Sequence, residues 1–145
     1  MTATAHSLVG ACLAVGIGNP ALAIPIAFAS HFLLDTVPHW DTGTHWHDRP
    51  KKTTFLYSGL DVALGLGLSL LFFGADVNLF YLLLMVFVST LPDWLQSPYI
   101  FWSIKLPPFY WFYKIQSKLN NKDGSWFGVF TQFAVVVPLL LWAKL

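Results

Sequence analysis

Hydrophobic residues in this 145-residue chain fall into blocks, 4 to 18, 21 to 37, 56 to 73, 79 to 95 and 126 to 145, parted by short polar, Pro-rich or Lys-bearing stretches. Such blocks argue against an ordinary soluble core, because water-facing helices keep a polar side and these do not. Composition agrees: 56% of residues are hydrophobic, 10% are charged, and mean hydropathy is +0.60. The expected fold is one all-α domain, residues 1 to 145, an integral membrane helical bundle.

The first two blocks do not make one helix. A helix across both would measure about 50 Å, against a hydrocarbon core of about 30 Å. Gly16, Gly18, Asn19 and Pro20 carry turn chemistry between them, so a hairpin of two short arms is expected. Leu8 to Ile17 followed by Ala21-Leu22-Ala23 has the outline of a cleavable signal peptide, but the amino end lacks Lys or Arg and the segment carries His6.

The fourth block is expected to end at Leu91-Pro92-Asp93-Trp94. From 97 to 125, Lys105, Lys114, Lys118 and Lys122 alternate with aromatic residues, the pattern of an interfacial segment with snorkelling lysines. A spanning hairpin over 97 to 113 is the alternative, and it puts Lys105 and Pro107-Pro108 at mid-bilayer. About five short transmembrane helices place the amino terminus, the 38 to 53 loop and the 97 to 125 segment on one side. Arg49, Lys51, Lys52 and the four lysines above share that side, and only Lys144 lies on the other. The positive-inside rule makes the basic side cytoplasmic and the protein a multi-pass one of the inner membrane. A formal charge of +1 offers no basic face for nucleic acid, and the single Cys12 no disulfide.

Ionisable residues in spans are expensive and are candidates for function. His6 lies near the cytoplasmic start of the first helix. His31 and Asp35, at i and i+4, share one face near the cytoplasmic end of the second, and His39 and Asp41 follow Pro38. Asp61 lies about two turns into the third helix, at the depth of His31, and Asp93 closes the fourth. Four helices thus deliver a His or Asp to the same half of the membrane. Imidazole and carboxylate are the usual ligands of zinc and similar ions, and buried carboxylates need a cation that no Lys or Arg of the first four blocks supplies deep in the bilayer. His6, His31, Asp35, Asp61 and Asp93 are therefore the expected ligands of one or two divalent metals, probed as zinc or manganese, with His39 and Asp41 as the catalytic candidates. The bland readings are packing hydrogen bonds for Asp61 and His6, capping for Asp93, and a solvated loop for His45, His47 and Asp48.

SHFLLDTVPHWD at 30 to 41, the opening MTATAH ending at His6, and LPDW at 91 to 94 together resemble the membrane-bound, metal-dependent hydrolases of the YdjM type, which are similar in turn to the zinc-dependent phospholipase C and P1 nuclease group. The resemblance covers about the first two-thirds of the chain, and by position it points to His6, His31, Asp35, His39 and Asp93. It implies a metal-dependent phosphoester hydrolase acting on a lipid. Two departures accompany it: a Pro-Asp-x-Asp-His run is replaced by Pro38-His39-Trp40-Asp41, and a later His-Arg-x-x-Thr-His-Ser motif has no counterpart. The competing expectation is a non-catalytic membrane protein whose His and Asp hold a structural metal or pass ions or protons. Polar residues crowded at one end favour a site over a path.

Overall fold

The computed structural model describes residues 1 to 44 and 48 to 145; His45 and His47 lie outside the described residues. Six helices and no strand are found among the described residues, and 77% of the chain is helical. They are α1 (Ala3–Ile17), α2 (Pro20–Asp35), α3 (Lys51–Phe73), α4 (Leu79–Trp102), α5 (Phe109–Leu119) and α6 (Trp126–Lys144).

The expected hairpin is present. Gly18 takes φ +65° after α1, a left-handed cap that costs glycine little. Asn19 then accepts from the Ala21 N–H at 3.0 Å and Pro20 opens α2, where its missing donor is not needed.

Every residue of α1 from Ala5 to Ala14 is buried, and the helix packs against α2, α3, α4 and α6. An apolar helix wrapped on all sides by protein has no need to match the bilayer thickness, which reconciles its 15 residues with a central position. Small residues let its neighbours close in. A side chain at Gly10 would stand 2.6 Å from the Met85 carbonyl oxygen and 2.5 Å from Ser89 Oγ, so α1 and α4 cross nearly backbone to backbone.

Three helices, α3, α4 and α6, are long and apolar enough to cross a membrane, fewer than the five expected. Their outward faces expose Leu64, Leu71, Phe80, Phe87, Phe130 and Phe133. The two arms of the first hairpin have 15 and 16 residues and fall below that length.

Two boundaries differ from the hydropathy reading. Helix α3 begins at Lys51 instead of 56, with the Pro50 carbonyl accepting from Thr53 and Thr54, because hydropathy marks where a helix turns apolar and not where its hydrogen bonding starts. Helix α4 does not stop near Pro92 but runs through Pro92 and Pro98 to Trp102. Proline deletes one donor and opens the turn before it. Here Thr90 Oγ1 donates to the Val86 carbonyl at 3.0 Å, Ser97 Oγ donates to that of Asp93 at 2.7 Å, and the Ser89 carbonyl finds a partner in His31. The 97 to 125 segment is accordingly divided between the end of α4, a linker, and α5.

Both ends of the bundle are tied. At one, Lys144 pairs with Asp76 at 2.5 Å. At the other, the loop after α2 zips to the loop before α6 and to the first turn of α6 through backbone bonds from His39 N to Asn121 O (3.1 Å), Asp123 N to His39 O (2.7 Å) and Trp40 N to Gly128 O (3.0 Å). The latter end holds the polar cluster.

Candidate metal centre

Asp35 is the hub. It is the last residue of α2, 2% exposed, and it gathers groups from three elements. Its Oδ1 accepts from the amino group of Met1 and lies 3.1 Å from His6 Nε2 and 3.8 Å from His39 Nε2. Its Oδ2 lies 3.5 Å from His31 Nε2. On the far side of His31, Asp93 Oδ1 stands 3.6 Å from the same nitrogen. The His6 and His31 rings stack with centroids 3.9 Å apart and 21° between planes.

The hydrogen-bond partners assign the tautomers. His31 Nδ1 lies 2.8 Å from the Ser89 carbonyl and His39 Nδ1 lies 2.7 Å from the Val37 carbonyl, and since a carbonyl only accepts, both Nδ1 atoms carry the proton. In the neutral rings each Nε2 then keeps a lone pair, aimed at Asp35 and its surroundings. His31 Nε2 has no hydrogen-bond partner, although it is buried between two carboxylates. His39 Nε2 lies 2.7 Å from the Met1 amino group. His6 donates toward Asp35 through Nε2, which leaves its buried Nδ1 without a partner.

The site residues expected from sequence are distributed as follows. His6, His31 and Asp93 each offer a ligand atom within 4.8 Å of the others. Asp35 adjoins all three or their partners, and His39 joins it from the loop. Asp41 stands beside His39, Oδ2 to Nε2 3.6 Å, and Lys122 Nζ lies 3.3 Å from the same oxygen. Burial alone would raise the Asp41 carboxyl, but the His39 ring and the Lys122 ammonium outweigh it and hold it down at about 2.

Asp61 is engaged elsewhere. Its Oδ2 accepts from Ala3 N–H at 2.9 Å, and its Oδ1 from Thr4 N–H at 3.0 Å and Thr4 Oγ1 at 2.7 Å. A carboxylate against the first turn of a helix meets free donors and the positive end of the helix dipole, so its charge is balanced without a cation. Asp61 thereby fastens the start of α1, and with it His6, to α3. Asp48 is exposed at the edge of the loop.

Several residues of the site were not singled out in the sequence. The chain has three glutamines, Gln96, Gln116 and Gln132, and all lie here. Gln132 accepts from Thr2 N–H at 3.1 Å and donates to the Trp40 carbonyl at 2.7 Å, joining the start of α1 to the loop. Gln96 donates to Asp93 Oδ1 at 2.9 Å and to Gln116 Oε1 at 2.8 Å. Amides in otherwise apolar blocks were the available signal, on the same ground as His and Asp. Asp93, a third exposed, faces a cleft of about 830 Å³. Thr90, Asp93 and Ser97 of α4 and Lys122 give it a polar lining, and Phe55 and Val62 of α3 with Ile100 and Phe101 of α4 an apolar one.

No protein-family model matches this chain, and neither a curated protein nor a solved structure does.

Proposed function

We propose that this protein is a multi-pass protein of the inner membrane, with about five short spans, that holds one or two divalent metal ions at its cytoplasmic end and hydrolyses a phosphoester, a lipid by preference. The observation that carries the reading is the surroundings of His31 Nε2. Two ligand atoms about 2.1 Å from one ion at a tetrahedral angle stand about 3.4 Å apart. The separations here are 3.5 Å to Asp35 and 3.6 Å to Asp93, too long for hydrogen bonds and matched to ligands of a common ion. The Ser89 carbonyl holding Nδ1–H is the outer partner that fixes a ligating histidine. His6, His31, Asp35 and Asp93 fit zinc, with manganese as the other candidate; His39 and Asp41 with the second oxygen of Asp35 fit a further cation, in the place where the Met1 amino group lies.

A divalent ion there supplies Lewis acidity toward a phosphoryl oxygen and toward water. The chain's own residues do the rest. When one ion is held and His39 is free of metal, its Nε2, with Nδ1–H held by Val37, is a proton acceptor, and Asp41 beside it stabilises the ring once charged. Lys122, at the polar end of the cleft, offers an ammonium to a phosphate oxygen. The apolar part of the lining, Phe55, Val62, Ile100 and Phe101, suits a lipid tail, with the head group entering from the cytoplasmic face. His6, His31, Asp35, His39 and Asp93 are also the residues to which the resemblance to membrane-bound, metal-dependent hydrolases points.

One observation favours the second reading, a non-catalytic metal or proton network: Asp35 and the stacked His6 and His31 rings form a continuous buried chain of titratable groups. Metal content by mass spectrometry on purified protein, wild type beside His31→Ala, tests the first. One or two equivalents lost in the variant, followed by turnover of phospholipid or phosphodiester substrates, is the expected result. Metal without turnover on any phosphoester leaves the structural role, and a metal-free wild type leaves the proton network.

A further inference from the structure

The amphipathic helix α5 sits outside the apolar blocks, yet it is wired to the candidate metal centre. A carboxylate only accepts, so the Gln96 group bonded to Asp93 Oδ1 is its amide NH2. The same NH2 gives its other hydrogen to Gln116, which therefore turns its Oε1 toward α4. Each orientation follows from the one before it. Gln116 is the buried residue of α5, 1% exposed. Asp93 Oδ1, the first link, is also the oxygen facing His31 Nε2.

The rest of α5 is arranged around that contact. Its inner side packs through rings, Tyr113 against Tyr99 at 4.3 Å and Phe112 against Phe28 at 6.4 Å. Its outer side exposes Trp111, Ile115 and Leu119, at i, i+4 and i+8. Residues 97 to 119 contain Lys105, Lys114 and Lys118 and no acidic residue. An apolar helical face flanked by lysines and free of acids is complementary to an anionic lipid surface.

We propose that α5 docks on an anionic leaflet and that this docking, through Gln116 and Gln96, orients the Asp93 carboxylate toward His31, so that the membrane surface regulates the metal centre. Gln96 and Gln116 are positioning residues in this scheme. It rests on the metal reading above for its functional meaning, but the relay itself is testable without metal.

Protein reconstituted in bilayers of phosphatidylcholine, with or without phosphatidylglycerol, is titrated with zinc against a competing chelator. Wild type is expected to bind zinc more tightly in the anionic bilayer. Gln116→Met and Gln96→Met, which keep volume but break the relay, are expected to lose about tenfold in affinity and to lose the lipid dependence, while helical content and a cooperative thermal transition without metal are retained. Trp111→Ser with Ile115→Ser is expected to abolish the lipid dependence while leaving the relay residues in place. Equal zinc affinity for wild type and Gln116→Met, or affinity indifferent to phosphatidylglycerol, overturns the proposal. If the wild type binds no metal, the metal reading falls separately. The relay is then read from the Asp93 carboxylate band by difference infrared spectroscopy against Asp93→Asn: a band that shifts in Gln116→Met supports it, and an unchanged band overturns it.

Discussion

Asp35 and Asp61 are both aspartates of apolar helices, both are buried, and both touch the first residues of α1, yet their oxygens end in different company. Asp61 is saturated by two backbone N–H groups and a hydroxyl at 2.7 to 3.0 Å. Asp35 takes the Met1 ammonium and the His6 N–H on Oδ1, while His31 and His39 stand 3.5 and 3.8 Å away, beyond hydrogen-bonding reach. A buried carboxylate thus finds its balancing charge in one of two ways. A helix start supplies fixed, directed donors and closes the shell. Around Asp35 the Met1 ammonium and His6 occupy Oδ1, but His31 turns a nitrogen lone pair toward Oδ2, and that pairing needs a cation, so this side of the shell stays open. Buried aspartates of apolar helices are costly in either setting, so their presence alone does not separate a fastening from a site.

The largest expected effect tests the open shell. Asp35→Asn should lose metal at least a hundredfold, and the drop in Tm that a chelator causes in the wild type should vanish; a variant that keeps both the metal and the chelator response would erase the contrast. Next comes the closed shell. Asp61→Ala strands three donors, and at about 1 to 3 kcal/mol for each unsatisfied buried group, partly relieved by water, the loss should be about 3 kcal/mol. Its metal stoichiometry, measured below the lowered Tm, should equal that of the wild type.

Gln132 stands between the two regions, since it joins Thr2 to Trp40. Gln132→Leu should cost about 1 to 2 kcal/mol in denaturant unfolding and weaken metal binding less than tenfold, as it loosens His6 and His39 without removing a ligand. The smallest effect lies at the entry to α6. The Ser125 N–H at 2.9 Å holds the exposed Asp123 carboxyl below the ordinary range. A depressed carboxyl stabilises the fold above its unfolded pKa of about 3.9 and loses that contribution as pH falls through the folded value. The protection of the Ser125 amide against hydrogen exchange, relative to its intrinsic rate, should therefore fall below pH of about 4, and in Asp123→Ala this step should be absent.

Much of the cluster was legible in the sequence because burial cost belongs to the residue itself. A His or Asp in an apolar block is conspicuous whatever surrounds it, and counting helices tells which end it occupies. His6, His31, Asp35 and Asp93 were found on those terms, as were the Gly18-Asn19-Pro20 turn and the lysine bias to one end. The limits of α3 and α4 were not, since helix hydrogen bonding continues past a change in hydropathy and past a proline whose neighbours accept new partners.

The sequence by itself determined that this chain forms apolar helices, that they are too polar at one end to be simple anchors, and which titratable side chains gather there. Tertiary structure alone decided which carboxylate is closed and which is open, that α1 runs inside the bundle, and that Gln96, Gln116, Gln132 and Lys122 belong with the histidines. The physical reason is that hydropathy is a sum over one residue's own atoms, whereas a hydrogen bond needs a donor and an acceptor from two elements at one place and in one orientation. Only the packing of the helices supplies that place.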